Sequence, residues 1–232
     1  MEDNRFIDRY FESEAILLKI ENTEKRSMTT FMNYLENLHS VGDKLRDKFN
    51  CNIKNIPEFV ILRIIRNYFH HVEDIEEYSI FVELEEWAVY HNNRHLIISI
   101  QDFAKAIKSF INNNKNKKYV EKQIELACEY IEYEIINNVD IFSNSAELLI
   151  DNKIYELGID IFKYVYNISN IIADECREIE LLKDKEVIKN LEETYTKDFN
   201  IPKQDLLCMP GNIPIMTTEG LIFPKNSIQK VK

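Results

Sequence analysis

Apolar residues recur along this chain at the three-, four- and seven-residue steps of an amphipathic helix. Met28, Phe31, Met32, Leu35, Leu38, Leu45 and Phe49 form one such stripe within residues 27–49. A second helix opens at Asn55 and Pro57, because proline is tolerated in a first turn where its missing N–H costs nothing. Its apolar positions include Val60, Ile61, Ile64, Ile65, Tyr68 and Phe69. The pattern predicts that this helix continues, bent or broken, from Glu77 to Tyr90, with a break at Asn92-Asn93. Ile100, Phe103, Ala106, Ile107 and Phe110 give the next stripe. Val120, Ile124, Ala127, Cys128, Ile131 and Ile135 repeat the spacing, as do Ile154, Leu157, Ile161, Tyr164, Ile168 and Ile172. A charged helix is expected to run on through Glu178 and Lys185, and the segment Phe6 to Ile20 reads as helical too. The polar run 112–118 reads as a connection.

Proline and glycine sharpen this outline. The 232 residues hold four Gly and five Pro, and no proline falls between Pro57 and Pro202. Four prolines then lie within the last thirty-one residues, with Gly211 and Gly220. The expected fold is all-α: an antiparallel bundle of about five to seven helices over residues 1–199, then an irregular tail over 200–232. A small hairpin around Thr217-Thr218-Glu219-Gly220 is expected inside that tail. Leu206, Leu207, Ile215, Leu221 and Phe223 are apolar enough to dock it on the bundle.

Composition removes several function classes. The chain contains no G-x-G-x-x-G, no G-x-x-x-x-G-K-[ST] and no G-x-S-x-G, so no phosphate loop or nucleophile elbow is indicated. The net charge of −11 argues against a general attraction to nucleic acid, while leaving room for a local basic site. Cys51, Cys128, Cys176 and Cys208 are far apart and are expected to be reduced core residues rather than a zinc or redox set. The charged start lacks an apolar stretch behind it, so neither a signal peptide nor a membrane role is expected. The expected location is the cytoplasm.

The chemistry-bearing segment is Arg63-Ile-Ile-Arg66-Asn67-Tyr68-Phe69-His70-His71. Histidine titrates near neutrality and serves as general base or acid. Arginine stays cationic and offers a planar fork to phosphate oxygens. Together they suit phosphodiester cleavage without a metal or other cofactor. Arg66-Asn67-x-x-x-His71 resembles the Arg-polar-x-x-x-His signature of HEPN domains, all-helical proteins of prokaryotic defence and toxin systems. The strict match covers six residues.

That resemblance implies a metal-independent endoribonuclease that gives a 2′,3′-cyclic phosphate, with a composite site across a homodimer. Arg66, Asn67 and His71 are its implied catalytic residues, with Arg63 and His70 as auxiliaries. It also implies an RNA substrate and an antitoxin or defence-system protein partner. Arg63 and His70 match a longer spacing that the family tolerates, so either pair fits. On an ideal helix residues 66 and 71 lie about 140° apart, at about 100° per residue. The family's His-x-Tyr variant is not matched, since Glu73 stands in the tyrosine's place.

Other assignments compete. Arg66 pairs with Glu73 or Asp74, and His70 and His71 cap a helix C-terminus, in a purely structural account. A non-catalytic RNA- or nucleotide-binding or protein-interaction module is the alternative function. His91 and His95 suggest half a metal site, and Glu36-x-x-His39 half of a di-iron pattern, each lacking further ligands. Lys115, Lys117 and Lys118 are the one dense basic run and the candidate contact to an RNA backbone.

Overall fold

A computed structural model describes residues 4–19, 28–72, 75, 77–81, 88–90, 94–204, 206–208, 214–222 and 229–230. Helix is the dominant element, but small antiparallel sheets accompany it. α1 (Arg5–Leu18) and α2 (Met28–Phe49) pack together. α1 turns Ile7, Tyr10 and Leu17 inward, at three- and seven-residue helical steps. A 3₁₀ turn at Ile53–Asn55 leads to α3 (Pro57–His71). Pro57 sits in its first turn, as expected, but the N-cap is Ile56 rather than Asn55.

α3 is the axis of the fold. It packs on α2, on α4 (Ile100–Asn113), on α5 (Lys117–Ala127) and on α8 (Phe162–Glu178). Its Phe59, Val60, Ile61, Leu62, Ile64 and Ile65 are all fully or almost fully buried. A helix that is apolar on nearly every side belongs in the interior. Only its last residues, His70 and His71, emerge into solvent.

Four expectations need correction. The segment after α3 is not a continued helix: it holds β1 (Glu77–Phe81) and β2 (Ala88–Tyr90), followed by β3 (Arg94–Ser99). The apolar spacing Ile154 to Ile161 is not helical either. After the short helices α6 (Tyr133–Asn137) and α7 (Val139–Phe142), that region forms β4 (Glu147–Ile150), β5 (Lys153–Glu156) and β6 (Gly158–Asp160). α5 ends at Ala127 instead of running to Ile135. α8 ends at Glu178, and only α9 (Glu186–Lys189) follows where a charged continuation was expected. The Asn92-Asn93 break lies outside the described residues.

The scarcity of glycine did not prevent these sheets, and the β4–β5 hairpin shows why. Its two turn residues, Asp151 and Asn152, take φ of 47° and 65°. Asp and Asn tolerate the left-handed region that a two-residue hairpin turn requires. Strand order is β1-β3-β6 in one antiparallel sheet. Asp160 joins that sheet to α8: its Oδ1 accepts from Leu96 N at 3.0 Å and Phe162 N at 2.9 Å.

The tail is tied back by strand pairing. β7 (Leu206–Cys208) pairs with β2, and β10 (Gln229–Lys230) with β4. β8 (Ile215–Thr217) and β9 (Gly220–Ile222) form the hairpin that the sequence predicted. A bridge joins Leu157 to Thr217. Asn167 of α8 adds a side-chain clamp: Oδ1 accepts from Ile201 N at 2.8 Å, and Nδ2 donates to Ile201 O at 2.9 Å.

Candidate functional site

The end of α3 distributes its polar residues over three faces. Arg63 turns toward α5. Its guanidinium donates to Gln123 Oε1 and lies 5.9 Å from the Phe59 ring centre and 5.8 Å from that of Tyr119. Burial lowers its pKa from the ordinary arginine value. This is a packing role.

Arg66 turns toward α2. Its Nη2 donates to Glu36 Oε2 at 2.8 Å, and its side chain is 16% exposed against 39% for Glu36. The same carboxylate has Oε1 3.7 Å from His70 Nδ1. The pairing is monodentate, because the other guanidinium nitrogen, Nη1, instead makes a long 3.4 Å contact with Asn67 Oδ1. A two-pronged arginine–carboxylate pair would engage both nitrogens. Glu73 and Asp74, the partners that the sequence suggested for Arg66, lie outside the described residues.

One turn further along α2, His39 Nδ1 lies 3.2 Å from Asp43 Oδ2. Lys54 also donates to Asp43, and Arg46 Nη2 approaches it at 3.2 Å. Burial lowers the His39 pKa, opposed by Asp43 and assisted by the nearby Arg66 cation. Glu36 and His39 therefore form a wall beside the Arg66–His70 end of α3, not half of a di-iron centre. Each half of this cluster was visible in the sequence. Their meeting was not, since nothing in one chain's spacing says which face of α2 lies against α3.

Asn67 and His71 turn toward α4. With Ser109, Asn113 and Asn114 they line a cleft of about 260 Å³, partly walled by Phe110. His71 is exposed and its ring meets that of His70 edge-on, with centroids 4.7 Å apart. Both histidines lie in the last turn of α3, where the helix dipole favours a cation. Asn67 thus links Arg66 on one side to the cleft of His71 on the other, bridging the 140° that an ideal helix puts between them.

The basic run follows the cleft wall directly. Lys115 in the α4–α5 connection and Lys117 and Lys118 in the first turn of α5, where the sequence predicts that the connection continues, are exposed just after Asn114. Lys117 Nζ donates to Ile111 O at 3.3 Å, and Asn116 caps α5 by accepting from Tyr119 N.

His95 is not on a helix. It is buried on β3, with Nδ1 2.7 Å from Asp160 Oδ2, and it serves the β3–β6 junction. His91 lies outside the described residues. Among the described residues no three His, Cys, Asp or Glu side chains are grouped to hold a metal ion. Also among them, no helix is long and apolar enough to cross a membrane. No family model, curated protein or solved structure matches the chain.

Proposed function

We propose that this chain is a HEPN-like, metal-independent endoribonuclease that works as a homodimer in a toxin or antiviral defence system, its helices forming an antiparallel bundle of the HEPN kind. The observation that carries the reading is Asn67, which lines the cleft of His71 while its Oδ1 contacts Arg66 Nη1. His71 takes the proton of a ribose 2′-hydroxyl. The 2′ oxygen attacks phosphorus, and Arg66 stabilises the charge that grows on the phosphate oxygens. The bond to the 5′ oxygen breaks, giving a 2′,3′-cyclic phosphate and a 5′-hydroxyl. His70, edge-on to His71, returns a proton to the leaving oxygen. The need for a 2′-hydroxyl selects RNA over DNA, and a second protomer doubles the local cationic charge on an otherwise acidic protein.

Purified protein is expected to cleave single-stranded RNA equally well with and without chelator. His71→Ala and Arg66→Ala should each abolish cleavage while helical circular dichroism is retained. Full cleavage by the double variant, with contaminating nuclease excluded, overturns the assignment.

The Arg66–Glu36 ion pair favours a second reading. An arginine neutralised within its own chain suits a protein-interaction or RNA-binding module that does not cut. RNA retention without product in the same assay identifies it.

A further inference from the structure

The cleft beside His71 has a composition of its own. Apart from His71, its polar lining is amide and hydroxyl: Asn67, Tyr68, Ser109, Asn113 and Asn114, with no Asp, Glu, Lys or Arg among the residues that line it. Phe110 and Ile64 supply apolar wall. The α4 amides are held in place. Asn113 Nδ2 donates to Ser109 Oγ at 2.9 Å, and Asn114 Nδ2 donates to Phe110 O at 2.7 Å. Each bond engages one N–H, so each amide still carries a second N–H and a carbonyl oxygen. At about 260 Å³ the space lies below the usual range for drug-sized ligands, roughly 300–1,000 Å³. It fits one planar ring system rather than a base pair.

Amide-lined, free of Asp, Glu, Lys and Arg, and beside an apolar wall, such a space suits a nucleobase. The edges of the four bases call for different readers. Guanine is bound best by Arg or Lys, and cytosine by a carboxylate accepting from its amino group. Adenine is bound best by the donor–acceptor pair of an Asn or Gln amide. The lining offers only the last of these. Bases splayed out of single-stranded RNA expose the same edges.

We infer that this cleft is an adenine-binding subsite. Under the ribonuclease reading, on which the next step rests, its position fixes which nucleotide it takes. The 2′-hydroxyl that His71 deprotonates belongs to the nucleotide on the 5′ side of the broken bond. A ribose held at His71 places its own base in the cleft. The enzyme therefore cuts after adenosine.

Calorimetric titration of adenosine, guanosine, cytidine and uridine 3′-monophosphates into the full chain reads the subsite without catalysis. The adenosine compound is expected to bind about tenfold or more tightly than the other three, the selectivity of one good bidentate contact. Asn113→Asp, which exchanges a donor for an acceptor, and Ser109→Leu, which fills the space, should each remove that preference without lowering the melting temperature beyond a few degrees. Equal binding of the four compounds, or an adenosine preference untouched by both variants, overturns the subsite. RNAs differing only at the nucleotide before the cut separate the two claims. Cleavage indifferent to that nucleotide sinks the subsite and spares the ribonuclease. An adenosine preference in binding, with no cleavage of any RNA, keeps the subsite and sinks the ribonuclease.

Discussion

Arg66 meets Glu36 through one guanidinium nitrogen, Nη2, at 2.8 Å, and leaves Nη1 leaning on Asn67 at 3.4 Å. The arginine is thus half engaged by its own chain. Glu36 is the more exposed partner, 39% against 16%, so a phosphate approaching from solvent competes with the carboxylate for the same fork.

Removing that competing charge has a definite signature. Glu36→Gln keeps size and an acceptor oxygen but leaves the Arg66 cation uncancelled. Affinity for single-stranded RNA should rise, and the dependence of binding on salt should steepen by roughly 0.7 in the logarithmic slope, the share of one more neutralised phosphate. The stability cost should stay at about 1 kcal/mol, because one partner is well exposed to solvent. Binding measured over a range of salt concentrations checks both slope and sign.

Arg63 separates the two candidate arginine–histidine pairs. It is held between Phe59 and Tyr119 and bonded to Gln123. Arg63→Lys keeps the charge but loses the plane that stacks on the rings. The expected outcome is a loss of about 1 kcal/mol in stability with RNA cleavage retained, whereas Arg66→Lys loses cleavage. Cleavage lost in Arg63→Lys at a temperature where the protein stays folded assigns the catalysis to Arg63 instead.

Stability should fall as pH rises through neutrality, and Glu14 is the reason. Burial raises its carboxyl pKa from 4.5 to about 7, partly offset by hydrogen bonds from Tyr195 at 3.1 and 3.3 Å. Tyr10 and Tyr34 are fully buried near it, and burial raises their pKa values as well. Between pH 4.5 and 7 the folded chain holds a proton that the unfolded chain has released. The stabilisation is complete below pH 4.5 and is lost on the way up to 7, an effect of order 3 kcal/mol. Thermal melts from pH 5 to 8 should show the decline in the wild type and little of it in Glu14→Gln.

Gly158 marks where the tail meets the β1-β3-β6 sheet. A Cβ there would lie 2.4 Å from Ile97 Cγ2 and 3.0 Å from the backbone carbon of Thr217. Neither neighbour yields easily, since Ile97 is fully buried and Thr217 contributes main chain. Gly158→Ala should cost about 1–3 kcal/mol. Limited proteolysis should show the segment after Ile201 cut earlier than in the wild type.

Helices were readable where one apolar stripe persisted for several turns, as in α2 from Phe31 to Leu45 or α3 from Val60 to Phe69. Strands were not, for a physical reason. The β3 core is Leu96-Ile97-Ile98, too short an apolar run to show a period. β5 and the single residue between it and β6 place Ile154 and Leu157 at a helical interval by coincidence. The turn that separates β4 from β5 is built from Asp and Asn, so counting glycine and proline missed it. At the site, the Arg66-Asn67-x-x-x-His71 spacing was legible, but the reach of Asn67 between two faces of α3 was not. Neither was Glu36, because ion pairing across helices depends on how they rotate against each other.

The strand pairs of the tail bear on how the chain is made. Ala88 to Tyr90 find their strand partner in Leu206 to Cys208, and Leu148 and Leu149 find theirs in Gln229 and Lys230. A ribosome adding 5–20 residues each second needs roughly ten seconds between the first pair of segments. Over that interval α4, α5 and α8 are added and find their burial partner in α3, while β2 still lacks the strand it pairs with and presents a backbone edge of the kind that recruits other chains. The nascent protein therefore passes through a stage in which its helices are already packed and its border is open, until residues 206–208 and 229–230 close it.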